Sequence, residues 1–153
     1  MWYRVFAASP EMIAPVRLLE HLAEQGLTVQ GHFRGDDLGW TGCQLILPGN
    51  EQAPIPLDRY LTKEDDIRDD LNSWAAFLET QDFSPNHGML MERVIQTQQL
   101  FTIRRPIDHA DEVTLDRVCE TLMRFLAAKL EGIYQIDSKG FFDADGNLLL
   151  QEY

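Results

Sequence analysis

Apolar residues recur at spacings of three and four toward the C-terminal end of the chain: Leu115, Val118, Cys119, Leu122, Phe125, Leu126 and Leu130. That period gathers them on one stripe of a helix. Asp111 stands where an N-cap would accept a backbone N–H, and Gly132 where a left-handed residue would close the helix, with Ile133 as the hydrophobic contact beyond it. Short apolar pieces follow at 133–136, 141–142 and 147–150. Asp137-Ser138-Lys139-Gly140 and Asp143-Ala144-Asp145-Gly146 separate them. Both spacers are turn sequences, so a capped helix feeding an antiparallel meander is predicted.

The rest of the chain reads as strands and helices that pack around this unit. Residues 2–8 are rich in aromatic and β-branched types and apolar on both faces, which predicts an internal strand. Ser9-Pro10-Glu11 has the form of a helix start, but Pro15 would break a helix already under way, so the main helix is expected to begin near Pro15. Its expected stripe is Val16, Leu19, Leu22 and Ala23, with Gly26 as its end. Strands are expected at 27–33, 40–47 and 55–61, with Pro56 implying an edge position for the last. Thr62 is read as the cap of a helix whose buried stripe is Ile67, Leu71, Trp74, Ala75 and Leu78. Asn86 is read as the cap of another helix, with Leu90, Met91, Val94 and Ile95 inward, and residues 99–104 as a strand. The expected fold class is α+β: two layers, a largely antiparallel sheet with helices packed on one face, in a single globular domain over residues 1–153.

Charge narrows the function more than composition does. With 25 acids against 13 bases the formal net charge is −12. Nucleic acid and anionic membrane surfaces need a positive face, so neither is an expected partner. No run of apolar residues is long enough to span a membrane. The two cysteines, Cys43 and Cys119, are far apart and in no metal spacing. A reducing, cytoplasmic setting is expected from that usage.

Candidate chemistry is sparse. Asp143, Asp145 and Asn147 begin like a calcium loop, but the sixth position is Leu148 where the loop needs glycine, so a plain turn is preferred. Asp108, His109, Asp111 and Glu112 cluster a histidine with acids, yet acids before and within a first helical turn have a capping explanation. Arg34-Gly35-Asp36-Asp37, with His32 close by, reads as a loop between strands. The tail aromatics Tyr134, Phe141, Phe142 and Tyr153 read as sheet packing. No nucleophile motif, phosphate loop or dinucleotide fingerprint is present, and no catalytic, cofactor-binding or metal-ligating residue is assigned. The one binding candidate is an acidic face made by Asp65, Asp66, Asp69 and Asp70, within a stretch, residues 58–82, that holds eight acids against three bases.

The C-terminal run from Gly132 to Leu150, with the long helix before it, resembles the tail of a family of small uncharacterised bacterial α+β proteins. The resemblance covers the last quarter of the chain and implies no activity, cofactor or functional residue. The expectation leans away from an enzyme. It is a non-enzymatic, acidic protein-binding module, adaptor-like or immunity-like, that takes a basic protein partner, with homodimerisation through an apolar sheet face as a further expectation. The alternative is a small enzyme or small-molecule-binding domain whose pocket collects dispersed residues such as His32, Asp36 and His109.

Overall fold

The computed structural model describes residues 1–152. The elements run β1 (Trp2–Ala7), α1 (Pro15–Glu24), β2 (Gln30–Asp36), β3 (Gly39–Ile46), β4 (Ile55–Leu61), α2 (Arg68–Glu79), α3 (His87–Ile95), β5 (Gln99–Arg104), α4 (Glu112–Lys129), β6 (Gly132–Ile136), β7 (Gly140–Phe142) and β8 (Leu148–Gln151). The strands form an eight-stranded antiparallel sheet in the order β2-β3-β4-β5-β1-β6-β7-β8. The class is therefore α+β, as expected. No described helix is long and apolar enough to cross a membrane.

The helices occupy both faces of the sheet, where a single helical layer was expected. β1 explains the difference. Successive side chains on a strand point to opposite faces. Tyr3, Val5 and Ala7 join the core beneath α1 and α4, with Phe101, Ile103, Leu122 and Leu126. Phe6, between Val5 and Ala7, joins a second core with Leu71, Leu78, Leu90 and Val94 of α2 and α3. A central strand apolar on both sides needs a cover on each, and α2–α3 supplies the second.

Several local expectations shift for identifiable reasons. β4 lies between β3 and β5, not at an edge; Pro56 pairs with Gln44 on one side, while the ladder to β5 begins at Leu57. The proline thus falls just outside the second ladder, where a missing donor costs nothing. Residues 27–29 lie outside the ladder to β3, which starts at Gln30, and Leu27 fills the core instead. In α1 the buried pair is Leu18 and Leu22, while Val16 is exposed. Thr62 caps no helix: its hydroxyl donates to the Thr97 carbonyl, and α2 starts after Ile67. Asn86 precedes α3, but its amide donates to the Leu149 carbonyl and makes no cap. Ile95 faces outward.

The long helix has the expected cap, with the Asp111 carboxylate accepting from the Thr114 N–H at 3.1 Å. Its far end differs. Glu131, not Gly132, takes the left-handed conformation (φ 54°), and its carbonyl accepts from Arg93 Nη1 and the Ala8 N–H. Gly132 is needed for proximity: a Cβ there would stand 2.8 Å from the Phe6 carbonyl oxygen. That is a backbone atom held in the β1–β6 ladder and cannot yield.

Candidate functional site

The registers lay side chains of the α2–α3 face out in rows across the sheet. Tyr60, Leu100, Phe6 and Ile133 are cross-strand neighbours and form an apolar row. The next row is polar: Asp58, Thr102, Arg4 and Gln135. The helices cover the apolar row, so their layer ends where the polar row begins. At that border the surface falls into a cleft of about 680 Å³.

Each wall of the cleft has a simple origin. β1 presents Trp2 and Arg4, which share the face of Phe6 by the two-residue period. β4 presents Tyr60. α2 presents Asp70, Ser73 and Trp74, which are neighbours at helical spacing. The connection from β4 to α2 adds Glu64, Asp65 and Asp66. Burial and the nearby Asp58 push the Tyr60 phenol up, against a hydrogen bond from Thr102 that lowers it.

Four carboxylates thus rim an aromatic floor. Asp65 has one oxygen committed, since Oδ2 accepts from the Leu61 N–H at 2.7 Å and closes the turn ahead of α2. No ion pair engages Glu64, Asp65, Asp66 or Asp70 among the described residues. The base in the wall is Arg4, and it is already used. Its Nη1 reaches Asp137 Oδ1 and Gln135 Oε1, each at 2.7 Å. Its guanidinium lies 4.9 Å from the Trp74 ring centroid and 5.8 Å from that of Trp2. Burial alone would raise the Asp137 carboxyl. The hydrogen bonds from Gln135, Arg4 and the Trp2 backbone outweigh it and hold that carboxyl below the usual range.

A smaller recess of about 320 Å³ continues the cleft, lined by Ser73, Trp74, Phe77 and Glu152. The Trp74 and Phe77 rings stand almost perpendicular, at 88°, with centroids 5.9 Å apart. The Glu152 carboxylate accepts from Gln135 Nε2 at 3.2 Å, and burial pushes its pKa up.

Of the expected acidic face, Asp65, Asp66 and Asp70 are brought to the cleft, and Asp69 is exposed outside its lining. The other candidate residues stay apart. His32 is exposed on the edge strand β2. Asp36 accepts from the Leu38 N–H in the β2–β3 turn. His109 is buried, with Nδ1 accepting from the Asp111 N–H at 3.0 Å and Nε2 without a partner among the described residues. Asp143 spends its oxygens on the backbone N–H groups of Asp145 and Asn147 and on the Asn147 amide, which makes it a turn-former. Cys43 and Cys119 are buried free thiols, and burial pushes each up to about 12, far from a thiolate at neutral pH. Among the described residues no group of His, Cys, Asp and Glu is arranged to hold a metal ion. Tyr153 lies outside the described residues.

Among the residues that sequence reasoning missed are Trp2, Arg4, Tyr60, Glu64, Phe77 and Glu152. For Trp2 and Arg4 the signal was available, because they alternate in phase with Phe6. Glu152 carried none: it meets Trp74 only through the fold. Comparison with family models, with curated proteins and with solved structures returns no match.

Proposed function

We propose that the chain is a non-enzymatic binding module that seats a basic segment of a protein partner in the cleft between the sheet and α2. The single observation behind this reading is the charge balance of that cleft. Glu64, Asp65, Asp66 and Asp70 surround Trp2, Tyr60 and Trp74, and Arg4, the one base in the wall among the described residues, is neutralised by Asp137. A guest carrying lysine or arginine supplies the missing charge, and its aliphatic stems pack on the aromatic floor. A cytoplasmic setting belongs to the same reading, since both cysteines are free thiols.

Isothermal titration with an acetylated oligolysine peptide tests it. Binding is expected at low ionic strength, weakening as salt rises, because the rim carboxylates are exposed. The double substitution Asp66→Asn/Asp70→Asn is expected to weaken it by about tenfold, the result of removing two charges from the rim. Absence of binding, or binding indifferent to both salt and the substitutions, contradicts the proposal.

A further inference from the structure

Building on the peptide-binding reading, we infer that the recess of Ser73, Trp74, Phe77 and Glu152 receives the guanidinium of an arginine side chain from the bound segment. Charge is the first reason. Arg4, Gln135, Asp137 and Glu152 form one hydrogen-bonded network holding two carboxylates and one cation. Asp137 takes that cation directly, at 2.7 Å. Glu152 touches only the Gln135 amide among side chains. Lys139 is no substitute: its carbonyl accepts from the Glu152 N–H, but its ammonium pairs with Glu120 at 3.6 Å. Glu152 is thus a half-buried carboxylate with no ion-pair partner among the described residues, at the wall of an aromatic recess.

Shape and precedent point the same way. A recess of about 320 Å³ lies at the small end of ligand sites and has room for one side chain. Its perpendicular rings offer a flat wall with an edge beside it, which fits a planar cation. The chain already uses this combination on itself, with the Arg4 guanidinium against Trp74 and hydrogen-bonded to Asp137. Guanidinium stacks on aromatic faces and sheds water more readily than ammonium, so arginine fits here better than lysine. Ser73 and Trp74 line both the recess and the cleft, so one extended segment can place basic residues along the acidic rim and an arginine in the recess.

Titration of the full chain with the acetylated oligolysine peptide, and with the same peptide carrying one central arginine, reads the preference. The arginine peptide is expected to bind about tenfold tighter. In Glu152→Gln and, separately, in Phe77→Ala, the two peptides are expected to bind within about twofold of each other. Both side chains are partly exposed, and a thermal unfolding scan of each variant confirms the fold. Equal affinities in the unsubstituted chain overturn the arginine assignment and leave the acidic-cleft reading standing. A preference that survives both substitutions overturns the recess as its origin. If neither peptide binds, both proposals fall together.

Discussion

Under α1 and α4 the sheet is sealed: Leu122, Leu126, Phe101 and Tyr3 are essentially without solvent contact and belong to one apolar core. Under α2 and α3 the cover stops short. Phe6 and Leu71 are sealed in the same way, but one row further across the sheet Thr102, Arg4 and Gln135 carry polar groups toward the end of the helical layer. The difference lies in coverage, since β1 runs beneath both layers. Where a helix pair ends over polar side chains, the fold leaves a cleft instead of a core. A sheet can therefore be stabilised on one face and specialised at the border of the other, and substitutions on the two sides should separate stability from binding.

The largest effect belongs to the sealed face. Leu122→Ala deletes a fully buried side chain of α4, and is expected to cost about 2–5 kcal/mol in urea unfolding. Peptide affinity of the remaining folded protein should be unchanged, and a loss of affinity would break the separation of the faces. Gly132→Ala comes next. Its Cβ would press on the Phe6 carbonyl, and an overpacking cost of about 1–3 kcal/mol is expected in the same measurement. A neutral result would mean that β6 can move away from β1.

The polar row is worth less. Arg4→Met leaves Asp137 without its cation, and about 1 kcal/mol of destabilisation is expected. The same substitution removes Arg4, a base, from the cleft wall, so oligolysine should bind more tightly. A variant that is destabilised and also binds worse would show Arg4 to be part of the guest's seat.

The smallest effect concerns pH, where the two carboxylates of the network have opposite signs. The Asp137 carboxyl is lowered in the fold, so its contribution is present above its unfolded value and lost as pH falls through the folded one. Glu152 is raised by burial, so the fold favours its protonated form. Its penalty grows as pH rises past the unfolded value and is complete above the folded one. Glu152→Gln should remove that penalty, leaving the variant as stable as the parent or slightly more so at neutral pH, and no more stable in acid. Unfolding midpoints between about pH 3 and pH 7 check both signs.

Much of this architecture could be read along the chain, and the exceptions have a common cause. The helix from Glu112 with its Asp111 cap and the closing meander were legible because caps, turns and period are local signals. The two apolar faces of residues 2–8 were legible too, but the expectation of helices on one face left the second without a cover. Thr62 and Gly132 misled because their roles are set by distant partners, the Thr97 carbonyl and the Phe6 carbonyl. The cleft was half legible. The acids of the β4–α2 connection announced themselves by number, and the phase of Trp2 with Phe6 was readable, but the meeting of Trp2 with Tyr60 and Trp74 was not, since the three come from separate elements. The register between strands decides such meetings.

The placement of two of the three tryptophans permits a direct measurement. Trp2 and Trp74 line the cleft, whereas Trp40 is buried in the opposite core. In a Trp40→Phe background, tryptophan emission reports on the cleft alone. Addition of oligolysine should change that emission in a saturable way, salt should reverse the change, and Asp66→Asn/Asp70→Asn should abolish most of it. Emission that stays flat on titration, or a change that persists in high salt and in the double variant, would contradict a cation-seeking cleft.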